Sequence, residues 1–338
     1  MGHPRVENQT PFVFETLFLV DEEFRPLVVP VLKATLAIKP DGRCLLAESQ
    51  IPLSTTGELW GEEPEKSSYK YEPEVAFVKP ATDVVLIGHA YASRHDTKEM
   101  MVGLRLGPVS KEVLVCGERI WFKTMGSVAM SGSVHFEKLP LVYERAFGGW
   151  DRDHADARKH SCEMRNPVGT GYRGAGGFVE GLRLPNLEDP RARIKSLGDK
   201  PPPAGFGFVS PHWQPRAALA GTYDEAWQKA RAPFLPKNFD RRHLNAASPG
   251  LVAPGYLRGD EQGLAVGVTP EGRMSFALPG LPPPNVRVTL ANGPPQAVGM
   301  ALDTVIIEPD DKRVLLLWRG HLGLRAGPHD VKEVIAEA

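Results

Sequence analysis

Apolar side chains recur at every second position in several segments of the first 140 residues. Residues 99–106 show this period most clearly, and it places one apolar row on one face of a β-strand. Residues 27–38, 84–87, 119–123 and 134–136 have the same alternation or an apolar run of strand length. This series of short strands predicts a mainly β fold, with antiparallel sheets in a sandwich- or barrel-like arrangement.

Glycine and proline interrupt this pattern throughout the chain. The 338 residues include 34 Gly and 32 Pro, which favours many turns between short elements. Pro30 falls inside the strand predicted at 27–38 and would confine its start to a sheet edge or a bulge. In residues 148–221 neither period persists. The aromatic residues scattered there predict long, ordered Gly/Pro-rich loops packed onto the sheets.

One short helix is predicted at about residues 222–232. Thr222 and Glu225 fit a capping box, in which each side chain bonds a free backbone N–H of the first turn. Pro233 would end this helix, because proline cannot continue a helix interior. Residues 329–338 are predicted to form a second helix at the end of the chain.

The segments fit one domain over residues 1–338. Its parts are a β-rich stretch at 1–147, a loop-rich excursion at 148–221, the helix at 222–232 and a β-rich return at 260–320. No internal repeat of fixed period is visible, so the sequence does not indicate a repeat architecture.

The charges of the chain nearly cancel. Lys and Arg number 40, and Asp and Glu number 41, which gives a net charge of −1. Such a chain has no overall field that attracts nucleic acid or an anionic membrane, and neither is expected as a partner. The most basic segment, residues 191–200, is interpreted as a solvated surface. No apolar run reaches the ~18 residues that a membrane span needs.

Cysteine usage and the start of the chain bear on the cellular compartment. Cys44, Cys116 and Cys162 are far apart and lack the spacing of a zinc finger, so neither a disulfide framework nor structural zinc is expected. The apolar segment 12–20 lacks the basic start and the cleavage site of an export signal. The protein is therefore predicted to be cytoplasmic.

One glycine motif has the spacing of a dinucleotide-binding loop. Gly169, Gly171 and Gly174 spell GxGxxG, and this motif is meaningful only between a strand and a helix. Asn166 and Pro167 come before it, and more glycines follow where a helix should begin. No dinucleotide site is predicted.

Residues 151–165 hold a cluster of metal-binding residue types. Asp151, His154 and His160 are among them, but four basic residues are interleaved with the acids. A metal site usually concentrates its ligands, so a solvated loop is the simpler interpretation. No catalytic, cofactor-binding or metal-binding residue is predicted, and no cofactor is expected.

A set of sequence blocks in a fixed order resembles the bacterial family called domain of unknown function 2169. The blocks run over most of the chain, from about residue 30 to residue 320. They are VLKAT (31–35), GHA (88–90), GERIW (117–121), PLVYERAFGG (140–149), NPVG (166–169), LPNLE (184–188), PAGFG (203–207), WQPR (213–216), GTYD (221–224) with Trp227, PFLP (233–236), GDE (259–261), LDT (302–304) and WR (318–319).

The resemblance implies a non-enzymatic adaptor or chaperone of the type VI secretion system. Proteins of this kind are similar to factors that hold a toxin effector in the cytoplasm and deliver it to the spike or its tip protein. The expected partners are therefore an effector encoded nearby and the spike or tip protein. The resemblance carries no catalytic residue over to this chain.

Two sets of residues within these blocks are candidates for defined roles. Trp, Tyr and Arg are the usual anchors of protein interfaces, although burial in the core is the simpler expectation for Trp227. The candidate partner-binding residues are Trp150, Trp213, Arg216, Tyr223 and Trp227. The second set is expected to fix loops by hydrogen bonds or by turns with positive φ: Glu144, Arg145, Gly148, Gly149 and Asn166.

Two other functions stay open at this point. A β-sandwich hydrolase would need acids and histidines that converge in a cleft, for which Asp151, His154 and His160 are the candidates. A structural component of the secretion spike would leave the cell with the assembled complex. The sequence names neither the effector nor the oligomeric state.

Overall fold

Strands make up most of the regular structure of the chain. A computed structural model describes residues 4–337 and has 38% of residues in strands and 8% in helices. Most of the strand pairs are antiparallel, and the strand orders over the described residues are open paths with two ends. The predicted mainly β fold with antiparallel sheets is confirmed.

The strands are numbered in chain order. They are β1 Arg5–Asn8, β2 Val13–Val20, β3 Pro26–Ile38, β4 Cys44–Leu46, β5 Glu58–Leu59, β6 Tyr69–Tyr71, β7 Asp83–Leu86, β8 His89–Tyr91, β9 Glu99–Leu106, β10 Val109–Cys116, β11 Trp121–Thr124, β12 Ser127–Met130, β13 Lys138–Pro140, β14 Phe147–Gly148, β15 Trp150–Asp151, β16 Ser161–Cys162, β17 Thr170–Gly171, β18 Leu187–Glu188, β19 Gln262–Val266, β20 Arg273–Ala277, β21 Asn285–Leu290, β22 Gln296–Val298, β23 Ala301–Glu308, β24 Arg313–Arg319, β25 Leu322–Gly323 and β26 Val331–Glu337.

Helices are short. One α-helix, α1, covers Glu225–Ala230. The 3₁₀ turns are Pro64–Lys66, Tyr143–Arg145, Ala157–Lys159, Arg216–Ala220, Arg241–Leu244 and Pro328–Asp330. None of these helices among residues 4–337 is long and apolar enough to cross a membrane.

The largest sheet has the order β2-β3-β24-β23-β7, and β4 and β25 also pair with β3. β3 is buried along nearly its whole length, as its run of apolar residues predicts. Pro30 lies within it, where the backbone N–H of Gly320 donates to the Pro30 oxygen at 3.1 Å. This is the gap between the end of β24 and the start of β25, so no ladder bond requires an N–H from Pro30.

Charged side chains are buried against this sheet in matched pairs. Lys33 Nζ lies 2.7 Å from the Glu74 carboxylate, and Arg319 Nε lies 2.6 Å from that of Asp303. A buried charge without a partner is strongly unfavourable, so both members of each pair are needed. The Lys33 pair, and hydrogen bonds from Arg319 to the Glu74 and Ala76 oxygens, hold the loop around residue 74 against β3 and β24.

Two smaller sheets complete the main framework. The five-stranded sheet has the order β18-β10-β9-β19-β20, and the four-stranded sheet has the order β1-β26-β21-β22. β26 replaces the helix predicted at the end of the chain, and that prediction is wrong. Val331, Val334 and Ala336 are buried while Lys332 is exposed, and pairing with β1 and β21 favours the extended form. Ala338 lies outside the described residues.

The prediction of a strand at residues 134–136 is also wrong. This segment is extended but joins no ladder, and it makes single hydrogen bonds instead. Val134 N donates to Glu118 O, and Phe136 N donates to Thr97 O. The alternation of Val134 and Phe136 therefore indicated an extended chain, which a regular ladder does not always follow.

The loop-rich middle of the chain is ordered and packs against the sheets. Its strands β14 to β18 have two residues each. Phe206, Phe208 and Trp213 belong to the main hydrophobic cluster, which also draws on both large sheets. A second small cluster under the loops contains Trp121 and Phe147.

Candidate partner-binding surface

Helix α1 lies on the surface and is capped by an aspartate. Asp224 Oδ1 accepts a hydrogen bond from Trp227 N at 2.8 Å, which satisfies a free N–H of the first turn. The predicted capping box is therefore wrong, because Thr222 Oγ1 instead accepts from Asn238 Nδ2 at 3.0 Å. The helix ends before Pro233, as expected, and contributes no buried residue.

Four aromatic side chains form a surface cluster beside this helix, which we call the aromatic patch: Phe24, Tyr223, Trp227 and Phe234. Tyr223 packs edge-on against Trp227 with ring centroids 4.8 Å apart, and Phe24 packs against Phe234 at 6.3 Å. Trp227 Nε1 donates to the Phe234 oxygen at 2.8 Å, which joins the two pairs. Tyr223 and Phe24 are each 53% exposed, and Trp227 is half-buried. Trp227 therefore does not fill the core.

Charged residues hold the two segments of the patch together. Arg231 donates to both carboxylate oxygens of Glu23, at 2.9 and 2.6 Å, and to the Leu235 oxygen at 2.8 Å. Leu235 N donates in turn to Glu22 O at 3.1 Å. The hydrogen bond from Arg231 lowers the pKa of the Glu23 carboxyl, which keeps that side chain charged. The turn between β2 and β3 is thereby tied to the segment after α1.

The arrangement suits protein binding. Aromatic rings offer a large apolar area at a low cost in side-chain entropy, and Tyr, Trp and Arg dominate the strong contacts of known interfaces. The guanidinium of Arg231 lies 5.4 Å from the centre of the Phe234 ring, so a cation sits at the rim of the apolar rings. Of the five candidate partner-binding residues, the structure brings Tyr223 and Trp227 together here.

Two of the other candidates are inside the protein. Trp213 is 6% exposed and packs edge-on against Tyr143 at 5.5 Å. Arg216 is 8% exposed, donates to the His243 oxygen at 2.7 Å and pairs with Glu72. Burial raises the pKa of the Glu72 carboxyl. In this structure Trp213 and Arg216 therefore offer no exposed anchor to a partner.

The fifth candidate is exposed but lies on a different element. Trp150 begins the short strand β15 and pairs with Cys162 of β16. Its side chain is 46% exposed, and the guanidinium carbon of Arg152 lies 4.8 Å from the ring centre. Trp150 thus presents an aromatic ring with a neighbouring cation, as the patch does, but without a second ring packed against it among the residues the structure describes.

The five residues expected to fix loops lie at one place, which we call the loop junction: residues 143–149 with Asn166 and Trp213. The Glu144 carboxylate accepts from Ser68 N at 2.7 Å and from Ser68 Oγ at 2.8 Å. Arg145 donates to Asn186 Oδ1 at 2.8 Å and to Glu118 at 3.0 Å. Three distant segments of the chain are thereby connected.

Asn166 and two glycines close the same junction from the other side. Asn166 is fully buried, and its Nδ2 donates to the oxygens of Tyr143 and Phe147 at 2.7 and 3.1 Å. Gly149 has φ +103°, and a Cβ on it would lie 2.5 Å from the Gly169 oxygen. Gly148 is equally tight, since a Cβ there would lie 2.1 Å from the Asn166 oxygen. Side chains larger than hydrogen are therefore excluded at both positions.

The residues that a hydrolase would need are engaged in local loop contacts. Asp151 accepts from Gly174 N at 2.7 Å, and His154 Nδ1 accepts from Asp156 N at 2.9 Å. The His160 ring bonds the His154 oxygen at 2.8 Å. Within residues 4–337, no group of three or more His, Cys, Asp or Glu could hold a metal ion. Gly171 and the rest of the GxGxxG motif lie in strand β17 and its flanking loops.

Sequence reasoning missed two members of the aromatic patch, Phe24 and Phe234. Phe24 follows three acidic residues in the turn between β2 and β3, where it adopts φ +61°. That charged setting is the one signal that could have marked it as exposed. Phe234 belongs to the PFLP block, which is part of the family resemblance. Nothing in the sequence says that these two rings meet.

The fold and the surface together define a mainly β protein with an aromatic patch on its outside. A family model described as "Uncharacterized protein conserved in bacteria (DUF2169)" matches residues 23–319, and the chain belongs to this family. No curated protein and no solved structure matches the chain.

Proposed function

We propose that the protein is a non-enzymatic adaptor, or chaperone, of the type VI secretion system. In this role it binds a toxin effector in the cytoplasm and helps to load it onto the spike or its tip protein. The observation that carries the proposal is membership of the DUF2169 family over residues 23–319, since the resemblance to this family implies the adaptor role.

The aromatic patch supports the proposal with a physical basis for binding. Its rings are held in place before any partner arrives, by the Trp227 hydrogen bond and the pair between Arg231 and Glu23. A surface that is already ordered loses little conformational entropy on association, which leaves more of the contact energy for affinity. We therefore assign one partner contact to Tyr223 and Trp227.

The test is co-expression with the toxin encoded by a neighbouring gene, followed by measurement of the complex by calorimetry. We expect a stable complex, and we expect the double substitution of Tyr223 and Trp227 by alanine to weaken it by about tenfold or more. Phe178→Ala is the matched control, because Phe178 is an exposed ring outside the patch.

Two outcomes would contradict the proposal. One is that no neighbouring gene product binds the protein and that effector secretion survives deletion of its gene. The other is recovery of the protein outside the cell in the secreted spike, which would identify a structural component. Equal loss of binding in Phe178→Ala would instead remove the aromatic patch from the contact.

A further inference from the structure

A groove of about 720 Å³ lies against the five-stranded sheet, where it extends from the β10 edge across β9 to β19. That volume is within the ~300–1,000 Å³ of typical ligand sites. Its floor includes Ser110, Lys111 and Glu112 of β10, and its walls include residues 189–191 and 202–204. The rest of the lining consists of 103–105, 214–215, 249–250, Leu264 and Val266 of β19, and Tyr143, Arg165 and Val209.

The edge of β10 that faces this groove has unpaired backbone groups. β10 pairs with β9 along its whole length, but with β18 only at Leu114 and Val115. Alternate residues of a strand direct their N–H and C=O to opposite sides. Cys116 N donates to Asn186 O on the β18 side. Ser110 and Glu112 lie an even number of residues before Cys116, so their backbone N–H and C=O groups point to the same side.

Within the part of the chain that the structure describes, no strand continues β18 along this edge. Among residues 4–337, no backbone group pairs with the N–H or C=O of Ser110 or Glu112. Five of the residues that line the groove are prolines, which have no N–H to offer: Pro190, Pro202, Pro203, Pro215 and Pro249. The backbone N–H and C=O groups of Ser110 and Glu112 are therefore open to pairing with another chain in the groove.

The charges around the groove favour the binding of an acidic segment. Four basic residues and two acidic residues line it, but Arg165 is already paired with Glu163 at 2.7 Å, which leaves a difference of 3 − 2 = +1. Arg105 and Arg191 are both exposed, and the nearby ion pair with Glu99 is made by Arg193 instead. Lys111 Nζ donates to Ser248 Oγ at 2.5 Å and to the Pro249 oxygen at 2.9 Å, and a lysine ammonium has a third N–H.

We propose that this groove binds an extended, acidic segment of a partner protein by strand addition. The segment continues the line of β18 and pairs with Ser110 and Glu112 through its main chain. Its acidic side chains interact with Lys111, Arg105 and Arg191. The identification of that partner as the effector rests on the proposed function; the strand site itself does not. The aromatic patch and the groove are then two separate contacts.

The test uses a short fluorescein-labelled peptide in which valine alternates with aspartate. We expect this peptide to bind the full-length protein at moderate salt, and the counterpart with lysine in place of aspartate not to bind. Ser110→Pro should weaken binding by about tenfold or more, because proline removes an N–H that points into the groove and leaves the pairing with β9 intact. Arg191→Glu should weaken it by about fivefold.

Matched variants separate the groove from general effects. Thr16→Pro makes the same change on β2, the edge strand of the large sheet. Thr16 lies opposite Pro30 of β3, and the Pro30 oxygen accepts from Gly320 on the far side of β3. The two residues therefore do not bond each other, and the backbone N–H of Thr16 points away from β3. Arg325→Glu makes the same charge reversal at an exposed site. Both controls should bind the acidic peptide as the unchanged protein does.

Several results would overturn the inference. They are undiminished binding by Ser110→Pro, equal loss in Thr16→Pro, equal binding of the lysine peptide, and equal binding of a single-stranded oligonucleotide. Hydrogen exchange on the unchanged protein is a second measurement, should Ser110→Pro fail to fold. The Ser110 and Glu112 amides should be protected by the peptide, and unaltered exchange there would also overturn the inference.

The outcomes for the groove and for the proposed function can be told apart. If the effector co-purifies equally well with Ser110→Pro, the groove is not its site, while the adaptor role stands. If no effector co-purifies but the acidic peptide binds as described, the adaptor role is lost and the strand-addition site remains.

Discussion

The loop junction and the aromatic patch are built from the same kinds of residue, yet they do different work. Both contain a tryptophan that packs edge-on against a tyrosine. Trp213 of the junction is 6% exposed, whereas Tyr223 of the patch is 53% exposed. Burial, rather than residue type, separates a stabilising contact from one that is available to a partner.

The consequences for stability follow from the surroundings of each region. At the junction, the Asn166 side chain donates buried hydrogen bonds to the backbone oxygens of Tyr143 and Phe147. Removal of that side chain would leave these oxygens buried without a donor. At the patch, Trp227 and Arg231 bond oxygens close to the surface, where water can replace them. We therefore expect substitutions at the junction to unfold the protein, and substitutions at the patch to leave it folded.

The largest expected difference is between the two tryptophans. Trp213→Ala should lower the free energy of unfolding by about 3–5 kcal/mol, because it empties a buried space beside Tyr143. Trp227→Ala should lower it by about 1 kcal/mol, since that indole is half-buried and its helix contributes nothing to the core.

Urea unfolding of both variants, with the unchanged protein beside them, measures this difference. The comparison fails if the two substitutions cost the same, because burial would then not distinguish the regions. If Trp227→Ala loses effector binding but keeps nearly full stability, the distinction between a stabilising junction and a binding patch is strengthened.

The distinction between the two regions was only partly visible in the sequence. The alternating and apolar segments predicted the framework strands β3, β7 and β9, because burial of one or both faces leaves a direct periodic trace. Exposure in irregular segments leaves no such trace. Burial was the simpler expectation for Trp227, but it is Trp213 that is buried. The contact between Phe24 and Phe234, more than 200 residues apart in sequence, was not predictable.

The local errors have separate physical causes. The strand β26 was predicted as a helix because its residues have no strong local preference, and pairing with β1 and β21 decides the outcome. The capping box was misplaced by two residues, since Asp224 competes with Thr222 for the same role and lies at the better position. Tertiary contacts thus decided where local signals were ambiguous.

Substitution of a junction glycine is expected to have an intermediate effect on the free energy of unfolding. Gly149→Ala should cost about 2–3 kcal/mol of unfolding free energy, because φ is +103° and the new Cβ would overlap the Gly169 oxygen. Gly176→Ala is the control, since φ there is +81° but nothing lies within 4 Å of the new Cβ. It should cost about 1 kcal/mol from backbone strain alone.

Chemical unfolding of both glycine variants gives the contribution of the close contact as their difference. If Gly176→Ala costs as much as Gly149→Ala, backbone strain accounts for the whole effect, and the tight packing of the junction contributes nothing. A larger cost at Gly149 supports close packing of the junction around this glycine.

The smallest expected effect concerns pH at the aromatic patch. The hydrogen bond from Arg231 lowers the pKa of Glu23 below its ordinary value of 4.5. A carboxyl with a lowered folded-state pKa contributes stability above its unfolded-state pKa, and this contribution is lost as the pH falls through the folded-state value. NMR titration of Glu23 should give a pKa below 4.5, and Arg231→Gln should return it towards 4.5. Because the pair is exposed, salt should weaken the shift. A Glu23 pKa that Arg231→Gln leaves unchanged would mean that the pair does not fasten the patch in solution, and the preordered surface that distinguishes it from a mobile loop would lose its main support.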